Sequence, residues 1–190
     1  MRKFLFIILL SFASTVNAQQ LQFPREAINF TIDSVHFTVD GYYYFKNPTN
    51  QVLNVPISYP FPNGSSVVDS AWLFNCSHLK AQAFTMGKMD MSFGVSVLPN
   101  DSAIYRIGYR ERHDGKTAHY ILTTTKFWNN PLSDASYSLF VPSYLHVLSF
   151  SYQPDKSLKQ KNGMLYLFHK KQFMPKEDFI VSFERRRLAE

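Results

Sequence analysis

The sequence predicts an all-β protein, a two-sheet antiparallel β-sandwich that follows an N-terminal signal peptide. Three observations carry this reading. Apolar and polar residues alternate with a period of two in nearly every apolar run, the mark of half-buried strands. Phe and Tyr number 18 and 11 against only 7 Gly, and such aromatic side chains suit a pleated surface. No window sustains a 3.6-residue apolar period across three turns, so no long helix is expected. About ten short strands at this spacing imply a sandwich or a barrel.

Residues 1–18 come first. Arg2 and Lys3 precede an apolar block from Phe4 to Leu10, and small residues continue to Val16. Val16-Asn17-Ala18 sets small side chains where a signal peptidase needs them, so cleavage before Gln19 is expected. The block is shorter than the ~20 residues of a spanning helix, and no later stretch is long or apolar enough to be one. A secreted, periplasmic or cell-surface location follows. Residues 19–184 read as a single β-sandwich domain, large enough for a proper core, and residues 185–190 as a basic tail opened by Arg185-Arg186-Arg187.

After a polar lead-in from Gln19 to Glu26, Ile28, Phe30 and Ile32 alternate with Asn29, Thr31 and Asp33 in a first strand. Val35, Phe37 and Val39 continue the alternation to Asp40-Gly41, either a tight turn or, by preference, a bulge in one long strand. The organising stretch runs from Val39 to Pro62. Its aromatic run ends in Asn47-Pro48-Thr49-Asn50, whose residues favour a turn, and a second run spans Val52 to Tyr59. The two read as a hairpin, with Pro56 at an edge or bulge because it cannot donate to a ladder.

Pro62-Asn63-Gly64-Ser65 is a turn before strands at Ser66–Phe74 and Leu79–Phe84. Met91, Phe93, Val95 and Val97 alternate cleanly with serines and Gly94. Ile104–Arg112 and Thr117–Thr125 flank His113-Asp114-Gly115-Lys116, a second hairpin signal. Lys126–Ser133 is an irregular connection. Strands follow at Ala135–Val141, His146–Tyr152 and Met164–His169, the last two separated by a lysine-rich polar loop. Phe179, Val181 and Phe183 close the sheet.

Charge and cysteine narrow the function. The net charge is +6, or +4 once Arg2 and Lys3 are cleaved away, too little for a nucleic-acid footprint. Cys76 is the single cysteine, which excludes an internal disulfide, and beside Trp72, Leu73 and Phe74 it is expected as a buried thiol. Asn29, Asn63, Asn75 and Asn100 each open an N-x-[ST] triplet, a glycosylation acceptor in a eukaryotic secretory pathway.

The chemical motifs are few. Asp134-Ala135-Ser136-Tyr137-Ser138 matches the D-x-S-x-S pattern of metal-dependent adhesion sites. Its strand follows the Asp instead of preceding it, so alternating serines on a strand are the preferred reading. The six histidines show no ligand spacing, and no serine sits in a nucleophile elbow. No cofactor, metal or catalytic residue is assigned. Arg106, Arg110 and Arg112 share one parity, and Lys116 extends them across the turn. This stripe is either a solvated face that discourages edge pairing or a grip for an oxyanion such as an acidic glycan. Tyr42, Tyr43 and Trp128 are candidates for stacking on sugar rings.

Tyr44-Phe45-Lys46-Asn47, then Tyr59-Pro60-Phe61-Pro62 and a strand with Val67 and Val68, resemble the N-terminal part of VIT-type β-sandwich domains (vault protein and inter-alpha-trypsin) and related bacterial secreted domains. Tyr120–Thr124 with Trp128-Asn129-Asn130-Pro131 resembles the stretch after their central hairpin. The resemblance implies a sandwich used for structure or interaction, with no catalytic residues to carry over. The expectation is therefore a secreted non-catalytic module, structural or binding, partnered by an acidic glycan or another envelope protein. The alternative is a secreted glycan-acting hydrolase whose carboxylates come from separate loops.

Overall fold

The computed structural model describes residues 21–186. The expected signal peptide and residues 187–190 of the basic tail lie outside the described residues. In chain order the strands are β1 (Gln22–Ile32), β2 (His36–Lys46), β3 (Leu53–Pro60), β4 (Val68–Asn75), β5 (Lys80–Ala81), β6 (Thr85–Met86) and β7 (Asp90–Val97). They continue as β8 (Ser102–Arg112), β9 (Thr117–Tyr120), β10 (Leu132–Pro142), β11 (Leu145–Phe150), β12 (Lys156–Gln160), β13 (Gly163–Phe173) and β14 (Phe179–Arg185). Short 3-10 turns occupy Ser65–Val67 and Thr123–Trp128. Among the described residues no helix is long and apolar enough to cross a membrane.

The protein is an all-β sandwich, as the alternation predicts. One wide layer has eight strands in the order β12-β13-β10-β1-β2-β8-β4-β5. Two narrow sheets, β3-β7-β6 and β11-β14-β9, share the other layer. All neighbours run antiparallel except β1 and β10, which pair parallel from Arg25↔Asp134 to Thr31↔Phe140. Period-two burial explains the layering. Phe37, Val39, Tyr43 and Phe45 on β2 and Ala103, Tyr105, Ile107 and Tyr109 on β8 are buried, while the residues between them face outwards. Phe30 lies at the centre, its ring 4.7 Å from that of Phe179 and 5.3 Å from that of Tyr120. Phe93 and Tyr59 bring the other small sheet onto Tyr105 and Tyr109.

Four local readings are corrected. The stretch Ile28–Val39 is two strands, not one. Asp33 Oδ1 accepts the backbone N–H groups of Val35 and His36 at 2.7 Å each, which makes a β1–β2 turn out of residues that keep strand parity. Asp40-Gly41 is neither turn nor bulge, because β2 pairs with β1 and β8 in unbroken register there. Glycine is required for another reason: a Cβ at Gly41 would stand 2.6 Å from the Tyr43 ring. The two expected hairpins are sheet-to-sheet corners. β3 leaves β2 to pair with β7, and β9 leaves β8 to pair with β14.

Each corner has a specific hydrogen-bonding device. Asn47 is buried, and its amide donates to the carbonyls of Gln51, Val97 and Leu98 at 2.7–3.0 Å. At the second corner Asp114 Oδ1 accepts from the Lys116 and Thr117 N–H groups. Gly115 supplies the positive φ of 82° that this turn demands. Pro56 does sit on an edge strand, as expected. The expected 79–84 strand shrinks to the two-residue β5, and the lysine-rich loop contains β12, whose side chains are all exposed.

Candidate functional site

Because the outer layer is divided, β3 and β9 present edge strands to each other across a gap above the wide sheet. The gap is an open cleft of about 460 Å³. Val55–Pro60 of β3 form one wall, and Tyr120–Leu122 with Thr124, Thr125, Phe127 and Trp128 form the other. Phe23, Glu26, Tyr43, Phe45 and Ile107 of the wide sheet form the floor. Trp128 packs its ring 5.4 Å from Phe23 and 5.7 Å from Phe45. Phe127, carried out by the 3-10 turn, is 83% exposed at the rim.

The floor is polar at its centre. Tyr43 Oη lies 2.8 Å from Tyr59 Oη and 2.9 Å from Tyr120 Oη. Two bonds among three hydroxyls consume two protons, which leaves one O–H to donate elsewhere. Burial raises the phenols of Tyr43 and Tyr120 well above their ordinary range, so all stay protonated at neutral pH. Beside them stands Glu26, 2% exposed, which accepts a hydrogen bond from Tyr137 Oη at 2.5 Å. Burial lifts its carboxyl from 4.5 to about 7, against the lowering effect of that bond. No Lys, Arg or His belongs to the described lining. The neighbouring Arg25 lies on the outer face, its guanidinium 3.8 Å over the Tyr44 ring.

Sequence reasoning passed over Glu26 as part of a polar lead-in. A signal was present, since Glu26 shares parity with Ile28, Phe30 and Ile32 and pairs with Tyr43 and Ala135. A register irregularity between Gln22 and Arg25 then returns Phe23 to the same face. Tyr59 and Tyr120 carried no signal of convergence, because each belongs to a different small sheet.

The residues singled out from sequence separate into two places. Trp128 is in the cleft wall and Tyr43 in its floor, but Tyr43 is only 4% exposed. Its hydroxyl, not a free ring face, is what reaches the cleft, so the expectation of an exposed stacking ring is corrected. Tyr42 points to the opposite face, opposite Arg106. That outer face also carries Arg106, Arg110 and Arg112. Arg106 grips Asp40 bidentately, Nε–Oδ1 2.8 Å and Nη2–Oδ2 2.7 Å, and Arg112 approaches Asp69 at 3.5 Å. Arg110 and Lys116 are exposed. The stripe is one face, as parity predicts, yet half of its charge is already answered by the protein.

Other expectations resolve individually. Cys76 is half-buried, not fully buried, because its strand ends at Asn75. Asn75 is 4% exposed and its amide donates to Tyr105 Oη, so it is no glycan acceptor, whereas Asn29, Asn63 and Asn100 are exposed. Asp134, Ser136 and Ser138 lie on β10, with Asp134 2.8 Å from His169 Nε2 and Ser138 bonded to Asn29. Among the described residues no three His, Cys, Asp or Glu side chains converge as metal ligands would.

These features define a class: a β-sandwich whose wide sheet carries two narrow ones with an aromatic cleft between them. Solved structures share the fold. A protein of Legionella pneumophila, described provisionally as nutrient-binding, has a TM-score of 0.75 at 10% identity, covering 88% of this chain and 68% of its own. An M1 zinc metallopeptidase of Deinococcus radiodurans with a bound tripeptide has a TM-score of 0.54 at 11% identity over 86% of this chain. The chain spans only 43% of that enzyme's structure. At such identities the likeness is one of fold. No protein-family model matches the chain, the VIT type included, and no curated protein sequence matches it.

Proposed function

We propose that the chain is an exported, non-catalytic binding module whose ligand occupies the cleft between β3 and the Thr123–Trp128 turn. The observation that carries the reading is the cleft itself: a concave, mostly apolar surface with several aromatic rings and a few convergent polar groups, which is the usual make-up of a small-molecule site. The sequence of residues 1–18 supports export. The likeness in fold to a protein described provisionally as nutrient-binding agrees with binding.

The cleft is preferred over the arginine stripe. Arg106 would have to give up Asp40 before it held an acidic glycan, whereas no ion pair among the described residues lining the cleft has to break to admit a ligand. It is preferred over glycan hydrolysis because that chemistry needs two carboxyl groups across the scissile bond. Glu26 is the one acid among the described residues that line the cleft.

A thermal-shift screen of small metabolites and oligosaccharides tests the reading. Ligands are expected to raise the melting temperature by mass action, and Phe127→Ala/Trp128→Ala is expected to abolish the shift. Hits that stabilise this double variant as well as the wild type would move the site elsewhere, with Arg106→Ala/Arg110→Ala the next variant to try. Cleavage of an oligosaccharide by the wild type, lost in Glu26→Gln, would overturn the non-catalytic reading.

A further inference from the structure

The cleft's chemistry narrows its ligand. We infer that the cleft takes an organic cation, a primary ammonium group carried on an apolar stem, with Glu26 as its counter-ion and the apolar cleft walls, Trp128 among them, around the stem. The inference rests on the binding role assigned to the cleft.

Charge and solvent access point the same way. Glu26 is 2% exposed and has one hydrogen bond, from Tyr137, on Oε1. Its other oxygen has no protein donor among the described residues, although the residue lines the cleft floor. A buried carboxylate is stable only when paired and hydrogen-bonded. Among the described residues nothing in the cleft pairs with it, since their lining holds no cation and Arg25 is turned to the opposite face. An ammonium donates three hydrogen bonds. Glu26 and the oxygens of Tyr43, Tyr59 and Tyr120 all offer acceptors, and the half-buried Trp128 supplies an aromatic surface that attracts a cation through its quadrupole. An anionic ligand would meet Glu26 as a like charge. A neutral sugar would leave the carboxylate unpaired.

Isothermal calorimetry with matched probes decides the matter. Benzylammonium and benzyl alcohol have nearly the same shape and differ in charge. At pH 8, benzylammonium is expected to bind at least tenfold more tightly to the wild type. Glu26→Gln keeps the acceptor for Tyr137 and is expected to bring the two probes to within about twofold of each other. Trp128→Leu, in the wall, should weaken both probes.

The wild type alone offers a second measurement, should Glu26→Gln fold poorly. Benzylammonium affinity should rise about tenfold from pH 6 to pH 8 as Glu26 loses its proton, with benzyl alcohol flat. Tyr43, Tyr59, Tyr120 and Tyr137, the titratable groups that face Glu26 from β2, β3, β9 and β10, stay protonated throughout. Phenylalanine amide and Nα-acetyl-lysine amide then separate two sources of ammonium, a chain's amino end and a lysine side chain.

Equal binding of benzylammonium and benzyl alcohol would overturn the cation while leaving the cleft as a binding site. The same holds if Glu26→Gln retains the preference. Failure of both probes to bind would overturn both readings, and failure of benzylammonium alone would overturn the cation.

Discussion

Glu26 makes folding stability depend on pH in a direction opposite to that of most carboxylates. In the unfolded chain its carboxyl titrates near 4.5, and in the folded protein burial holds the proton on until about pH 7. Between these values the folded state keeps a proton that the unfolded state has released, so rising pH favours unfolding. The penalty is absent below pH 4.5 and complete above pH 7. At ~1.4 kcal/mol per pH unit it amounts to about 3 kcal/mol, a large part of the stability of a typical domain. Urea denaturation of wild type and Glu26→Gln at pH 5, 6, 7 and 8 measures it. Glu111, whose carboxyl burial also lifts to about 7, titrates in the same window, but it is common to both proteins and cancels in the difference. Glu26→Gln is expected to lie within ~1 kcal/mol of wild type at pH 5 and to gain about 3 kcal/mol on it by pH 8. Parallel pH profiles for the two proteins would refute the argument, because a solvated Glu26 has no such proton to hold.

Further outcomes follow from the same packing, each read by urea unfolding at pH 6. Tyr43→Phe strands the hydroxyls of Tyr59 and Tyr120 at the cleft floor and should cost about 1–3 kcal/mol; a loss no larger than that of Tyr59→Phe would deny Tyr43 its central place. Asn47→Ala removes the donor to three carbonyls at the first corner and should cost about 2–3 kcal/mol. Gly41→Ala drives a methyl into the Tyr43 ring and should cost about 1–3 kcal/mol by overpacking. Arg106→Ala should cost no more than ~1 kcal/mol, because its pair with Asp40 is solvent-exposed.

Much of the fold was legible because one face of each strand is buried. Met91, Phe93, Val95 and Val97 were marked by alternation and all four are buried. The same rule put Arg106, Arg110 and Arg112 on one outer face. What parity does not encode is an ion pair made by a distant strand. Asp40 lies 66 residues from Arg106 in sequence, so the stripe's partial neutralisation was not visible. Nor does parity encode a turn made of residues that keep the alternation. Asp33 to His36 turn the chain through two bonds to the Asp33 carboxylate and one from the Asp33 N–H to the His36 carbonyl, none of which interrupts the alternation.

The cleft was illegible for a reason that also explains why it exists. Asn47-Pro48-Thr49-Asn50 and Asp114-Gly115 specify a reversal of direction, and a short reversal between two β-prone runs ordinarily closes a hairpin. Neither motif states which sheet receives the next strand. That choice is non-local. Asn47 donates to Val97 and Leu98, some fifty residues away, and so ties the first corner to the end of β7. Phe179 pairs with Tyr120 and draws β9 onto β14. Had the two local hairpins closed, β3 would lie against β2 and β9 against β8. Both free edges would then be consumed within the wide sheet, and Tyr43, Tyr59 and Tyr120 could not meet. The two corners at which local turn chemistry misleads are therefore the two that separate the narrow sheets, open the gap between them, and leave Glu26 at its floor.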